Sequence, residues 1–398
     1  MTLDIASPKF KADPFPTFAR LRREEPVCRV PVPGWKRAWL VTRYDDVAGL
    51  LKDDRFAKDP LRAVSGTKEK QPWIPRFLRP LARNMLDVDP PDHTRLRAIV
   101  QKAFTPKFVD ALEPRIRSLT EELLDRVRPS MDLIDAYALP LPATVIAEML
   151  GIPASDRHRF HRWSQRIVSL TPSPAGLLAG TPAAIAFLRY IRRLAAQRRA
   201  APGDDLLSAL VAAEEEGDRL TADELVAMVF LLLIAGHETT VNLIGNGVLA
   251  LLEQRTEWER LRADPGLFPS AVEELLRFGS PLLTATERYA RVDVAVAGTT
   301  IPRGSLVYAA LASANRDEGQ FPSPDVLDVG RNPNRHLAFG FGVHYCLGAP
   351  LARLEGRIAI EALIRRFPAL RLAVPHSRLR WRRGLVLRGL VSLPVTAI

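Results

Sequence analysis

Cysteine is scarce: Cys28 and Cys346 are the only two in 398 residues. One pair cannot staple a chain of this length, and such sparing use fits a reducing cytosol. Lysine stops at Lys107, so arginine carries all the later basic charge. Long apolar runs are missing too. The longest, Leu225 to Gly236, is shorter than the roughly 20 residues of a bilayer span and runs into His237 and Glu238. It reads as a buried helix, and no membrane anchor is expected. Met1 to Lys9 carries neither an apolar core nor a cleavage pattern, so no signal peptide is expected either. Repeats, low-complexity tracts, basic tails and nucleic-acid motifs are all absent. The net charge of +11 is spread over single residues and short pairs among acids, so no nucleic-acid binding is expected.

What remains is ordinary for a globular enzyme: 47% hydrophobic, 25% charged, and long enough for one large domain or two. Helical patterns dominate, over 14–25, 44–51, 94–103, 107–127, 143–149, 154–170, 182–200 and 206–215. Asp92, Thr105-Pro106 and the box Thr221-Ala222-Asp223-Glu224 carry helix-start signals. The helix following that box, 222–252, is apolar on most faces in its first half and must run through the interior. Strand signals are few: 38–42, a hairpin over 292–296 and 299–301, and 305–310. The expected class is mainly α, an α+β chain with small sheets. Two long or Pro/Gly-rich loops, 61–90 and 171–180, suit lids or binding walls.

One run stands apart: Phe339-Gly340-Phe341-Gly342-Val343-His344-Tyr345-Cys346-Leu347-Gly348-Ala349-Pro350. Gly342 and Gly348 allow sharp turns with positive φ. Pro350 suits the first turn of a helix beginning there. A thiol at such a helix start favours the thiolate. With no second Cys or paired His nearby, a tetrahedral zinc site is excluded, and one thiolate as sole protein ligand fits haem iron. Taken without its neighbours, a Cys beside a Gly-rich turn is equally an inert structural thiol. Cys28, between Val27 and Arg29, reads as inert.

The spacing Phe339-x-x-Gly342-x-His344-x-Cys346-x-Gly348 resembles the haem-binding loop of the cytochrome P450 family. The resemblance implies a single haem domain over 1–398 with the cytochrome P450 fold. That fold is helix-rich with small β-sheets, its haem b lying between the long central helix and the Cys loop. Cys346 is then the iron ligand, with Phe339, Gly348 and Ala235 against the cofactor. Ala235-Gly236-His237-Glu238-Thr239-Thr240 resembles the family's oxygen-activating helix. Small residues at 235 and 236 let a flat group approach and weaken the helix ladder locally. Thr239 is implied to hydrogen-bond dioxygen and an ordered water, and Glu238 to relay protons. On the residues alone, the same stretch is also a kinked helix with hydroxyls bonded back to the preceding turn.

His93 and Arg97 share one helical face, which suits a propionate; an exposed surface pair reads the same way. The resemblance assigns propionates to His93, Arg97, Arg288 and His344. It reads Glu274-Leu275-Leu276-Arg277 with Arg331 as a structural Glu–Arg–Arg triad rather than a catalytic one. A substrate pocket is implied along Leu232, Ala235, Leu282, Leu283, Thr284, Val386 and Leu387. That lining is mostly aliphatic, so a largely apolar small molecule is expected.

The closest likeness is to bacterial polyketide and macrolide hydroxylases. The implied reaction inserts one oxygen atom from O2 into a C–H or C=C bond. No flavin- or iron–sulfur-binding extension follows Ile398, so a ferredoxin or flavodoxin with its reductase is expected as electron donor. The excess basic charge suits an acidic donor and haem propionates. A cytoplasmic monomer is expected. Rival readings are a peroxide-driven or ring-coupling haem-thiolate enzyme and a non-catalytic haem-thiolate binding protein.

Overall fold

The polypeptide divides into two units in the computed structural model, which describes residues 3–32, 35–60, 84–168, 174–215 and 220–397. One unit comprises Met1–Gly66, Glu113–Leu141 and Thr239–Ile398; the other comprises Thr67–Leu112 and Pro142–Glu238. The boundary falls inside one helix, Ala222–Glu253.

The first unit carries every strand among the described residues. These are β1 (Val27–Val32), β2 (Trp35–Val41), β3 (Phe56–Ala57), β4 (Ser130–Asp132) and β5 (Arg288–Ala290), then β6 (Val294–Val296), β7 (Thr299–Ile301), β8 (Leu306–Ala309), β9 (Arg371–Leu372) and β10 (Pro394–Thr396). The largest sheet runs β1-β2-β8-β5-β3, antiparallel throughout except for the parallel β2–β8 pair. A second has the order β4-β10-β9, and β6–β7 is the expected hairpin. Strand β1 was not expected, because Pro31 interrupts its alternation. It nevertheless pairs with β2 and sets Cys28 opposite Leu40. Cys28 is buried there among Val30, Leu40 and Phe18. Burial, followed by nearby Glu25, pushes its thiol up to about 11, so it is inert as expected.

Helices of the same unit include Phe15–Glu24, Tyr44–Lys52, Glu113–Arg126, Phe268–Gly279 and Ala349–Arg366. Missing side chains let them pack closely on the second half of the central helix. A Cβ on Gly245 would lie 2.6 Å from Ile134 Cδ1, and one on Gly356 2.7 Å from Leu243 Cδ2. The helix expected over 107–127 is broken into Pro106–Ala111 and Glu113–Arg126. Pro114 explains the break, since its ring clashes with a continuing helical backbone.

The second unit is helical: Asp92–Ala103, Pro140–Met149, Ala154–Val168, Pro174–Ala200, Leu206–Glu215 and the first half of Ala222–Glu253. Pro182, expected to begin a helix, lies inside Pro174–Ala200; Pro174 holds the first position instead. Much of the expected loop 171–180 is therefore helical. Of the other expected loop, 61–83 lies outside the described residues, as does 171–173. The Thr221 box forms as read: Glu224 N–H donates to Thr221 Oγ1 at 3.1 Å, and Thr221 N–H to Glu224 Oε2 at 2.8 Å. Thr105 also caps its helix, accepting from Phe108 N–H. Asp92 does not cap; it is the first helical residue.

Ala222–Glu253 is 32 residues long and apolar enough to cross a membrane by length and composition, although 67% of its most apolar window is buried. It is a core helix, and longer than its uninterrupted apolar run suggested.

Candidate functional site

Cys346 is exposed, whereas Cys28 is buried. Its loop is closed by its own backbone. Cys346 N–H donates to Phe339 C=O at 2.9 Å, and Tyr345 N–H to Gly342 C=O at 3.0 Å. Gly340 (φ +71°) and Gly342 (φ +75°) supply the left-handed turns. Gly348, expected to use positive φ as well, has φ −80° and is the N-cap of Ala349–Arg366. Its smallness serves a different end, since a Cβ there would touch Cys346 Sγ at 3.9 Å. A Cβ on Gly342 would lie 2.7 Å from Leu51 C=O. The thiol thus stands one turn before a helix N-terminus with Pro350 in its first turn, as the sequence implied.

Two adjacent glutamates hold this loop and its approach. Glu274 is fully buried and accepts from Arg277 Nε and Nη2 at 2.7 Å each. It also accepts from Arg331 Nε at 3.2 Å, Asn334 Nδ2 at 3.1 Å and the Asp328 N–H at 3.0 Å. The arginines' other donors meet the carbonyls of Asn315, Pro324, Pro322 and Val326. Buried ions need such complete pairing, so the triad is structural.

Glu273 was missed by sequence reasoning. It forms a two-pronged bridge with Arg353 (2.7 and 2.8 Å) and accepts from His336 Nε2 at 3.2 Å. Burial alone would raise its pKa, but those two donors outweigh it and hold the carboxyl at about 2. The Arg353 guanidinium also lies 4.5 Å over the Phe339 ring. Phe339, Tyr345 and His336 complete the aromatic surround of the loop. No sequence signal marks this bridge, since its partners lie 80 positions apart.

Elsewhere in this unit, Arg288 is buried on β5, and His344 ends the short 3-10 turn Gly342–His344. The expected pocket segments do meet. Leu282 bridges Leu387, Leu283 N–H donates to Val386 C=O at 2.7 Å, and Thr284 Oγ1 to Leu385 C=O at 3.1 Å. Leu283, however, is fully buried in the core with Phe18 and Leu40, so its side chain belongs to packing rather than to a pocket wall.

In the second unit, His93 is buried and Arg97 half-buried on Asp92–Ala103, on one face as expected. The central helix has one unusual stretch. Leu233, His237 and Thr240 are at most 2% exposed and Glu238 8%, yet Leu232, Ala235 and Thr239 retain accessible surface. That i, i+3, i+7 spacing is a single face. Gly236 does not extend it; a Cβ there would meet Ile146 Cδ1 at 3.3 Å, so its smallness serves helix packing. The α-helix runs through 235–240 without interruption.

These features fit haem. Among the described residues no group of three or more His, Cys, Asp or Glu could hold a metal ion, which leaves the exposed Cys346 sulfur as a single donor. An apolar helix with accessible surface at Leu232, Ala235 and Thr239 suits a flat ring, and buried cations such as Arg288 suit carboxylates.

The sequence model of the family described as "Cytochrome P450" matches residues 186–265 and 266–387. "Cytochrome P450 107B1" of Saccharopolyspora erythraea is 47% identical over 391 residues, covering 97% of this chain and 95% of that protein. "6-deoxyerythronolide B hydroxylase" of the same organism is 43% identical, with 98% of each covered. Among solved structures, the bacillaene polyketide synthase cytochrome P450 PksS of Bacillus subtilis superposes with a TM-score of 0.92 at 42% identity, over 100% of both chains.

Proposed function

The chain belongs to the cytochrome P450 family and is a haem-dependent monooxygenase, and from that premise we propose that it hydroxylates or epoxidises a largely apolar polyketide- or macrolide-like small molecule. The observation that carries the proposal is the accessible face of Leu232, Ala235 and Thr239 midway along the apolar central helix, in the stretch where Leu231, Ile234 and Gly236 also keep accessible surface. Aliphatic surface at Leu232 and Ala235 recognises apolar carbon, and Thr239 is the hydroxyl on that face. Relatives of comparable identity include the 6-deoxyerythronolide B hydroxylase and the "Polyketide biosynthesis cytochrome P450 PksS" of Bacillus subtilis, which supports the substrate class.

The haem supplies dioxygen activation when bound. The protein's part is division of labour. Cys346 Sγ is the iron ligand, with Gly348 kept small beside it and Phe339 against the loop. His93, Arg97, Arg288 and His344 hold the propionates by charge-assisted hydrogen bonds. Thr239 Oγ1 hydrogen-bonds dioxygen and an ordered water, and Glu238 hands protons along the helix toward it. Leu282, Val386 and Leu387 add the remaining apolar wall; Thr284, like Leu283, is fully buried, its hydroxyl held by Leu385 C=O. Electrons come from a separate ferredoxin or flavodoxin with its reductase, drawn by the chain's basic excess. The enzyme works as a single-domain cytoplasmic monomer.

Turnover with a surrogate ferredoxin pair, labelled dioxygen and a panel of macrolides and apolar polyketides tests this. One labelled oxygen per product is expected. Unlabelled product, or turnover with peroxide but not with the reductase pair, would overturn it. Binding spectra that respond to charged or small polar molecules and to no macrolide would remove the substrate class.

A further inference from the structure

A second cavity, of about 600 Å³, lies within the strand-bearing unit. Its lining includes Phe15, Ala19, Ala250, Arg316, Trp381 and Arg388, and it includes none of the residues assigned above to haem or substrate. Ala250 stands 11 residues beyond Thr239 on the central helix, roughly 16 Å along its axis. The volume is in the ordinary range for a small-molecule site.

Its charge arrangement is uneven. The acids on the lining, Asp13, Asp325 and Glu253, are exposed at the rim; Asp325 pairs with Arg316, and Glu253 with His376. Arg388 and Arg316 are only 6% and 4% exposed. Arg388 donates from Nε to Lys11 C=O at 3.0 Å and from Nη1 to Gly279 C=O at 2.7 Å. Its Nη2 meets no acceptor among the described residues, and it is not one of the sealed, unsatisfied atoms. It therefore keeps accessible surface in the cavity that Arg388 lines. Lys11, also buried, donates to Leu387 C=O. Neither Lys11 nor Arg388 has a carboxylate partner among the described residues. Burial and then Arg388 push Lys11 down to about 8; burial and then Arg316 push Arg388 down to about 9. Three cations share this neighbourhood; neither of the inner two is in an ion pair among the described residues, although Asp13 and Glu253 at the rim act on Arg388 through space.

The guanidinium is also rigidly set. The Arg388 guanidinium carbon lies 4.1 Å from the Trp381 ring centre and 5.2 Å from that of Phe15, and that of Arg316 lies 4.1 Å from the Phe15 ring centre. A fixed buried donor with an open hydrogen-bonding edge, flanked by aromatic rings, is the chemistry of a carboxylate site.

We propose that this cavity is a second ligand site, separate from the haem site, which takes a small organic carboxylate: the anion on Arg388 Nη2, its apolar body against Phe15 and Trp381. The test is calorimetric titration of 4-bromophenylacetate and 4-bromophenylacetamide into the haem-loaded enzyme, its iron site already filled by an azole. The acid is expected to bind at least tenfold tighter than the amide, and bromine anomalous scattering from soaked crystals should fall in the cavity. Ala19→Leu, which fills the cavity without touching the Arg388 hydrogen bonds, and Arg388→Gln should each weaken binding at least tenfold with the haem absorbance unchanged. Ala19→Leu serves alone if Arg388→Gln does not fold. Equal binding of acid and amide, no binding at millimolar acid, bromine elsewhere, or an unaffected Ala19→Leu would each overturn the proposal.

Discussion

Two regions of the strand-bearing unit bury charge, and they do so in opposite ways. At the approach to the Cys346 loop, Glu274 sits between Arg277 and Arg331, and both carboxylate oxygens and every guanidinium nitrogen of that knot have a partner. At the second cavity, Arg388 is held by two carbonyls and two aromatic rings, and no carboxylate forms an ion pair with it among the described residues. A closed network has nothing left to offer a ligand and serves to fix backbone. An open one has binding capacity in reserve. The same contrast separates the cysteines: Cys28 is sealed and its thiol pushed up, while Cys346 is exposed beside a helix start.

The largest expected effect comes from opening the closed network. Glu274→Ala leaves two buried guanidiniums without their anion and should cost about 3–5 kcal/mol. Urea unfolding of the apo-protein measures this, and weaker haem retention should follow because the loop loses its brace. A loss below about 1 kcal/mol would mean that the knot is not the brace it resembles.

Next is the pH response of the neighbouring bridge. The Glu273 carboxyl is held at about 2, against an ordinary value of 4.5. A lowered folded-state pKa contributes stability that is fully present above 4.5 and is lost as pH falls from there toward about 2. With partial exposure allowed for, the bridge should contribute on the order of 2 kcal/mol. Arg353→Met should flatten that part of the stability-against-pH curve. An unchanged slope between pH 4.5 and 2 would remove Glu273 from the account.

How much of this could be read from the chain depends on sequence distance. The Cys346 loop was legible because its turns, thiol and helix start are consecutive, and the Thr221–Glu224 box because its partners are three residues apart. Glu273–Arg353 was not, since any helix offers such charges and only folding selects the pair. Local reading also misjudged residues whose purpose is set by a distant neighbour. Gly236 makes room for Ile146 and not for a flat group, and Leu283 is core. Pro31 hid β1, although pairing with β2 tolerates a proline whose missing N–H the register irregularity between Val30 and Val32 accommodates. The second cavity draws on 12–19, 246–253, 278–279, 316–325 and 376–388, and no motif joins them.

The open network should respond more mildly than the closed one. Arg388→Met removes a buried cation that is in no ion pair, which is favourable, but takes a donor from the Lys11 carbonyl and leaves the Gly279 carbonyl to Asn246 Nδ2 alone, which is not. The balance should be a loss of about 1–2 kcal/mol, less than half that of Glu274→Ala. Equal losses in parallel urea titrations would erase the distinction between the two regions.

The smallest effect belongs to a network that water can replace. Thr221 and Glu224 exchange hydrogen bonds at the start of the central helix, where Thr221 is exposed. Glu224 also pairs with Arg95, so the carboxylate keeps a partner when the cap is lost. Thr221→Ala removes one acceptor for the Glu224 N–H and should cost about 1 kcal/mol. Solvent can take over that donor, so the haem spectrum should not change. A loss as large as that of Glu274→Ala would show that exposure, and not completeness of pairing, fails to separate these sites; a loss near 1 kcal/mol keeps the ordering from sealed knot to open cavity to surface cap.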